Sequence, residues 1–277
     1  MPPLDPSAIV IRSLEHREEY EACVALQRLI WGDDFADCVP ATILMVTQRV
    51  GGVTAGAFDP TGRLLGFVYG ISGVRDGRLV HWSDMLAVHA DARALGLGKR
   101  LKMFQRDRLL ERGIEVAYWT YDPLVARNAH LNLNGLGARV TEYVPHMYGD
   151  TGSPLHRGLD TDRFIVEWRL SDPAVAGAIR GERAPLAAEA ATAPILSHGM
   201  DLDRSLPAGA WIRVEVPGDI EQVKAAFPDV ARAWQALFRR VFLHYLNAGY
   251  RVVAFSHGAD GRRFFYVLSN APLVATA

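Results

Sequence analysis

Apolar positions recur along this chain with two periods, one near 3.6 residues and one of 2, and their succession predicts a mixed α/β protein. Glu15 to Trp31 reads as an amphipathic helix, and Ala41 to Gly52 as a helical or loop segment. Val53 to Asp59 and Leu64 to Ser72 form a predicted hairpin around Pro60-Thr61-Gly62. Leu79 to Val88 is rich in large apolar residues and free of Gly and Pro, which predicts a mostly buried strand. After a turn, Lys99 to Leu110 resumes helical spacing and ends near Gly113. Ile114 to Tyr121 predicts a strand stopped by Asp122-Pro123, Ala126 to Ala138 a short helix ended by glycines, and Arg139 to Val144 another strand.

Beyond the strand predicted over Arg163 to Leu170 the composition changes. Ser171 to Pro194 is dominated by Ala and holds no aromatic residue, the pattern of a connector or a weakly packed helix. This divides the chain into a first domain over 1–170, a connector over 171–194 and a smaller α/β subdomain over 195–277. In the last part Trp211 to Val216 alternates as a half-buried strand. A long helix runs from Phe227 or Asp229 through Trp234, Phe238 and Phe242 to the Gly249 stop. Strands over Tyr250 to Phe255 and Arg263 to Leu268 follow, joined by Gly258-Ala259-Asp260-Gly261. The helix is too apolar to stand free in water, so it is expected to pack on the first domain or a partner and to cover the substrate side.

The turn between Val88 and Leu101 carries the candidate chemistry. Gly96 and Gly98 strip side chains from the first helical turn, whose free N–H groups and positive dipole end favour an anion. Arg93, Lys99 and Arg100 add charge at the same place. A dinucleotide fingerprint fails on spacing, because counting from Gly96 reaches Gly98 and then Leu101 where the third glycine belongs. The pattern is Arg-x-x-Gly-x-Gly on a strand-to-helix turn. In this, and in the order strand, turn, helix, strand, Asn-bearing helix closing in Leu136-Gly137, strand, the first 170 or so residues resemble the GCN5-related N-acetyltransferase superfamily. The motifs from Asp122 to Ala138 resemble a two-part group within it. A glycine turn without ligand is the competing reading of the six pattern positions alone.

That resemblance implies a central mixed sheet flanked by helices and an acyl-CoA cosubstrate, acetyl-CoA or a larger acyl-CoA. It implies that Leu86, Ala87 and Val88 line the pantetheine and thioester, and that Arg93, Ala94, Leu95, Gly96, Leu97, Gly98, Lys99 and Arg100 wrap the pyrophosphate. Ala94 stands where many members have glycine. Asn128 and Asn132, one helical turn apart, are implied pantetheine contacts, with capping or surface duty as the alternative.

Amide formation needs a base for the ammonium and a donor for the oxyanion. By strand alternation Trp82, Asp84, Leu86 and Val88 share one face, and the resemblance, whose members often carry the base on this strand near the thioester, implies Asp84 as the candidate base, with a paired structural carboxylate as the competing reading. A backbone N–H near Leu86 or Ala87 is the implied oxyanion donor. The general acid is open: Leu133 occupies the position where many members carry Tyr, leaving His130, Tyr121, Tyr143, Tyr148 or an unprotonated thiolate. Trp31, Tyr121 and Tyr148 are candidate walls of the acceptor pocket, against a core role for each.

The remaining composition narrows the function classes. The chain has 277 residues, 49% of them hydrophobic, and a net charge of -1, so no global field draws it to nucleic acid or an anionic membrane. No signal peptide or transmembrane run is seen, which gives a cytoplasmic expectation. Cys23 and Cys38 lack metal-ligand spacing; reduced thiols and no metal are expected. The resulting expectation is an acyltransferase that moves an acetyl, succinyl or similar group to the amine of a small molecule, an amino acid among the candidates. Transfer is direct, in a ternary complex, and a homo-oligomer is open. The alternative is a catalytically silent CoA-binding sensor or scaffold.

Overall fold

The computed structural model describes residues 4–156, 158–182, 185–201, 205–258 and 261–271. Its strands are β1 (Val10–Ser13), β2 (Val53–Phe58), β3 (Leu64–Arg75), β4 (Arg78–Val88), β5 (Val116–Tyr121), β6 (Arg139–Val144), β7 (Arg163–Arg169), β8 (Ile195–Leu196), β9 (Trp211–Val216), β10 (Arg251–His257) and β11 (Phe264–Ser269). The α-helices are α1 (Arg17–Trp31), α2 (Ala41–Arg49), α3 (Leu97–Leu110), α4 (Ala126–Ala129), α5 (Pro173–Arg180), α6 (Ala188–Thr192), α7 (Ile220–Ala226) and α8 (Pro228–Asn247). A mixed seven-stranded sheet has the order β1-β2-β3-β4-β5-β7-β6, and a four-stranded sheet the order β10-β11-β9-β8. Strands β1 to β4 form an antiparallel meander, and β4 pairs parallel with β5. This is the mixed α+β class with helices flanking a central sheet and a smaller second sheet that the sequence predicts.

Local chemistry explains the element ends. Glu19 reaches back to the His16 backbone N–H at the start of α1, and Gly32 closes that helix with φ near 98°. Asp219 accepts from the Glu221 and Gln222 N–H groups to start α7, and Pro228 opens α8 one residue after Phe227 ends α7. Strand β1 and helix α7 have no counterpart in the sequence pattern, because four and seven residues are too few to show a period. The Ala259-Asp260 part of the turn before β11 lies outside the described residues.

The chain forms two compact units whose boundary differs from the sequence division at 170 and 195. Unit 1 comprises 1–119, 151–157 and 168–172, and unit 2 comprises 120–150, 158–167 and 173–277. The boundary therefore falls within β5 and β7. The physical reason lies in unit 2, where the aromatic face of α8 is satisfied by residues that precede the Ala-rich stretch. Phe242 packs edge-on against Phe164 at 4.6 Å between centroids and stacks on Tyr143 at 5.7 Å. Tyr266 adds edge contacts to Phe164 and Phe242. Within 171–194 lie the short helices α5 and α6, which bury Val175 and Ala190.

Unit 1 has its own apolar core on one side of the meander. Tyr20, Cys23 and Leu26 from α1 and Leu44 from α2 pack on Phe67, Tyr69, Met85 and Ala87. Cys23 is buried, and both cysteines are free thiols.

Candidate functional site

The turn between β4 and α3 has a strand-to-helix course with Gly96 at the corner. A short 3-10 turn over Ala90–Leu95 leads into Gly96, which adopts the left-handed conformation at φ 68°, ψ 13° and serves as the N-cap of α3. Glycine reaches that conformation without the Cβ penalty that other residues meet. Having no side chain, it also leaves the N–H groups of Leu97 and Gly98 uncovered by the cap; the first intrahelical bond is from Arg100 to the Gly96 carbonyl, at 3.2 Å. The structure gives the three basic residues of this turn different placements. Arg93 is exposed and Lys99 half-buried. Arg100 departs from its expected role, because its guanidinium donates to the Pro6 carbonyl at 2.9 Å and the Ile9 carbonyl at 2.7 Å, which ties α3 to the N-terminal segment.

Strand β4 corrects the predicted face of Asp84. Tyr69 pairs with Met85 and Ile71 with Trp82, so two steps along β3 match three along β4, and Ser83-Asp84 form a bulge opposite Gly70. Cross-strand partners share a face. Ala87 and Met85 face the α1–α2 core with Phe67 and Tyr69, whereas Leu86 and Val88 pair with Val68 and Gly66 on the opposite face. Asp84 is on the Tyr69 side: the Trp82 indole N–H hydrogen-bonds its carboxylate, and the Tyr69 hydroxyl feels its charge. Simple alternation puts Asp84 with Leu86 and Val88, and the bulge separates them.

Asp84 is exposed, with protein close enough around it to penalise its charged form. Desolvation holds its pKa above the usual carboxylate value, and the nearby Asp37 carboxylate adds to the rise against the Trp82 hydrogen bond. A raised pKa makes this carboxylate a stronger base than an ordinary one.

Next to this position the sheet changes. The ladder of β4 with β5 consists of His81 with Ala117 and Trp82 with Tyr118, and among the described residues no pair is recorded beyond Trp82. The stretch of β4 from Ser83 to Val88, with the candidate thioester-lining residues Leu86, Ala87 and Val88, therefore has an edge free of β5 and runs directly into the Gly96 turn.

The other candidates are distributed over both units. Trp31, at the end of α1 in unit 1, stacks on Phe35 with centroids 5.5 Å apart and lies against the apolar core. In unit 2, the helix predicted from Ala126 to Ala138 is a single α-turn, α4, followed by a π-helix over His130–Gly135. Wider π-turns, frequent at functional sites, alter the expected Asn128–Asn132 alignment. Asn132 is buried, while Asn128 is half-buried. His130 is exposed, with Nδ1 3.2 Å from the Asn134 amide and its ring 6.3 Å from that of His257. Tyr148 bonds the Thr120 hydroxyl at 2.8 Å beneath the Arg163 guanidinium. Tyr121 does not wall a pocket: it is buried, its hydroxyl meets that of Tyr266 at 3.4 Å, and its ring packs on Phe164. Tyr143 is likewise engaged, donating to Asp162 at 2.7 Å, and the phenols of both are pushed well above their ordinary pKa by burial.

Sequence reasoning missed a polar cluster beneath β4: His81, Ser83, Lys102 and Gln105 are all buried in unit 1. Its signal was available in principle, since His81 and Ser83 alternate on the strand and Lys102 and Gln105 lie one helical turn apart.

No protein-family model and no curated protein matches the chain. Solved structures do. A chain of the NatC complex bound to Gag peptide and CoA is 20% identical with a TM-score of 0.46, over 59% of this chain and 99% of its own. The structure of yncA from Salmonella typhimurium with acetyl-CoA is 17% identical with a TM-score of 0.47, over 65% and 98%. Aminoglycoside 6'-acetyltransferase type Ii is 18% identical with a TM-score of 0.46, over 59% and 98%.

Proposed function

We propose that this chain is an acyl-CoA-dependent N-acyltransferase that moves an acetyl, succinyl or similar acyl group to the amine of a small molecule, amino acids among the candidates. The observation that carries the reading is the Asp84 carboxylate, held above its ordinary pKa on a bulged strand whose free edge runs into an anion-binding turn. In this reading the uncovered N–H groups after Gly96 hold the pyrophosphate, with Arg93 and Lys99 adding charge. Asp84 takes a proton from the acceptor ammonium, directly or through water. The amine then forms the new C–N bond, a backbone N–H of Leu86 or Ala87 receives the developing oxyanion, the nitrogen gives up its second proton to solvent, and the C–S bond breaks with its electron pair on the thiolate. Asn128 and Asn132 are the proposed pantetheine contacts. Tyr148 and His130 stand as candidate proton donors to the thiolate, to be separated by Tyr148→Phe and His130→Gln.

The test is a panel of acetyl-, succinyl- and longer acyl-CoAs against pooled amino acids and amines, read as free thiol. Amine-dependent thiol release is expected. Calorimetry on Gly96→Val and Gly98→Val completes it: loss of CoA binding in folded variants is expected. Unchanged affinity in both, with no thiol release from the panel, overturns the reading.

A further inference from the structure

Under the β4 bulge, a buried cluster in unit 1 runs without a break from α3 to the loop before β2. The Lys102 side-chain amine, only 2% exposed as a residue and pushed by burial well below the ordinary lysine pKa, donates to the Ser83 hydroxyl at 2.8 Å and to the Gln105 side-chain oxygen at 3.2 Å. Its nitrogen stands 3.6 Å from the centre of the Trp119 ring, and Trp168 is edge-on to Trp119. The Gln105 amide meets His81 Nε2 at 3.0 Å, His81 Nδ1 meets the Ser72 hydroxyl at 3.1 Å, and that hydroxyl donates to the Gly51 carbonyl at 2.9 Å. One assignment satisfies the whole chain: neutral His81, accepting from Gln105 at Nε2 and donating from Nδ1 to Ser72. Gly70 completes it, since a Cβ there would collide with the His81 imidazole and the Trp82 carbonyl.

Such a cluster is costly to bury, and an apolar filling of the same volume serves stability at least as well. What a satisfied polar network supplies is a unique geometry. The geometry at stake is the bulge, because Ser83, held from the core by Lys102, is the residue next to Asp84. A β4 strand that slipped by one residue would carry Asp84 to the other face of the sheet.

We propose that Lys102 is a positioning residue for acyl transfer: through Ser83 it pins the β4 bulge and so fixes the face and surroundings of Asp84. This rests on the reading of Asp84 as the base. The groups around that carboxylate are Asp37 from the loop after α1, the Tyr69 hydroxyl from β3 and the Trp82 indole from β4 itself. Lys102 lies on the opposite face and acts through the backbone.

The test uses Lys102→Met, which keeps an unbranched side chain over Trp119, and Ser83→Ala, which removes the hydroxyl alone. In both, kcat is expected to fall roughly tenfold or more with KM for acyl-CoA unchanged. The acid limb of the pH–rate profile is expected to move to lower pH, as a loosened Asp84 regains water and its pKa relaxes toward the ordinary carboxylate value. Carbon-13 titration of the Asp84 carboxyl, assigned with Asp84→Asn, reads the same shift without turnover, and a fall of about half a unit or more is expected. Variants that unfold cooperatively yet leave the Asp84 titration where it is in wild type overturn the proposal. If the wild-type protein turns over no acyl-CoA, the assignment of Asp84 as base fails, while the titration still decides whether Lys102 positions it.

Discussion

The two units solve the problem of an interior in opposite ways. Unit 2 is filled with rings: Phe164, Phe238, Phe242 and Tyr266 meet mostly edge to face at 4.6 to 6.1 Å. Unit 1 has an apolar core over one face of its meander and, beneath β4, the hydrogen-bonded set of His81, Ser83, Lys102 and Gln105. Aromatic area stabilises strongly and tolerates small shifts, because ring contacts are broad in angle. A buried polar set adds little net stability and fails when any member moves, so it specifies position. The candidate base Asp84 and the Gly96 turn belong to the unit that carries this buried polar set.

Truncation gives the hardest blow to the aromatic side. A chain ending at Leu170 bares Tyr121, Tyr143 and Phe164 by removing Phe242 and Tyr266, so it is expected to aggregate or bind a hydrophobic dye; a monomeric, cooperatively folded fragment would contradict the unit boundary. Next, Phe242→Ala is expected to cost about 3–5 kcal/mol in denaturant unfolding, with the Asp84 titration unmoved. On the chemical side, Asp84→Asn is expected to lower turnover about 10²-fold while CoA affinity by calorimetry stays nearly intact. An unimpaired rate would reassign Asp84 to structure.

Acid distinguishes the polar interior. Burial first, then the charges of Lys102 and Arg112, hold the His81 pKa down to about 3, against an ordinary value of 6.5. The unfolded chain therefore binds a proton that the folded one refuses. The His81 contribution is fully present above pH 6.5 and is lost as pH falls from there toward 3. Between pH 6.5 and 5 that amounts to about 2 kcal/mol. Asp84, whose pKa is raised, works in the opposite direction, so the imidazole is isolated by comparing the pH slope of wild type with that of His81→Gln in chemical denaturation. Equal slopes would mean that His81 titrates alike in the folded and unfolded chains. The smallest effect is expected at the surface, where Arg17→Ala breaks an exposed pair with Glu21 and is expected to leave the denaturant midpoint nearly unchanged. A larger loss there would show that the contrast between interiors leaves out a surface term.

The elements with a full period were legible: β4, β6, β9, α3 and α8 fall within a residue or two of the pattern that predicts them, and the Gly96 turn joins β4 to α3 as its spacing implies. Single side chains were less so. Arg100 reads as an anion contact from its neighbours in sequence, but Pro6 and Ile9 claim its guanidinium. Tyr121 reads as a strand-end wall, but Tyr266, 145 residues further on, takes its hydroxyl into the core.

Sequence alone reaches local structure: periodicity separates helix from strand, and a glycine with its missing Cβ marks where the chain can take the left-handed turn at Gly96. Tertiary structure alone decided the bulge that turns Asp84 away from Leu86 and Val88, the assignment of Phe164 and Tyr143 to the interior of α8, and the burial of Lys102 under Ser83. Each depends on which residues of distant segments meet. A one-residue offset in pairing reverses a strand's faces without any change in the strand's own pattern.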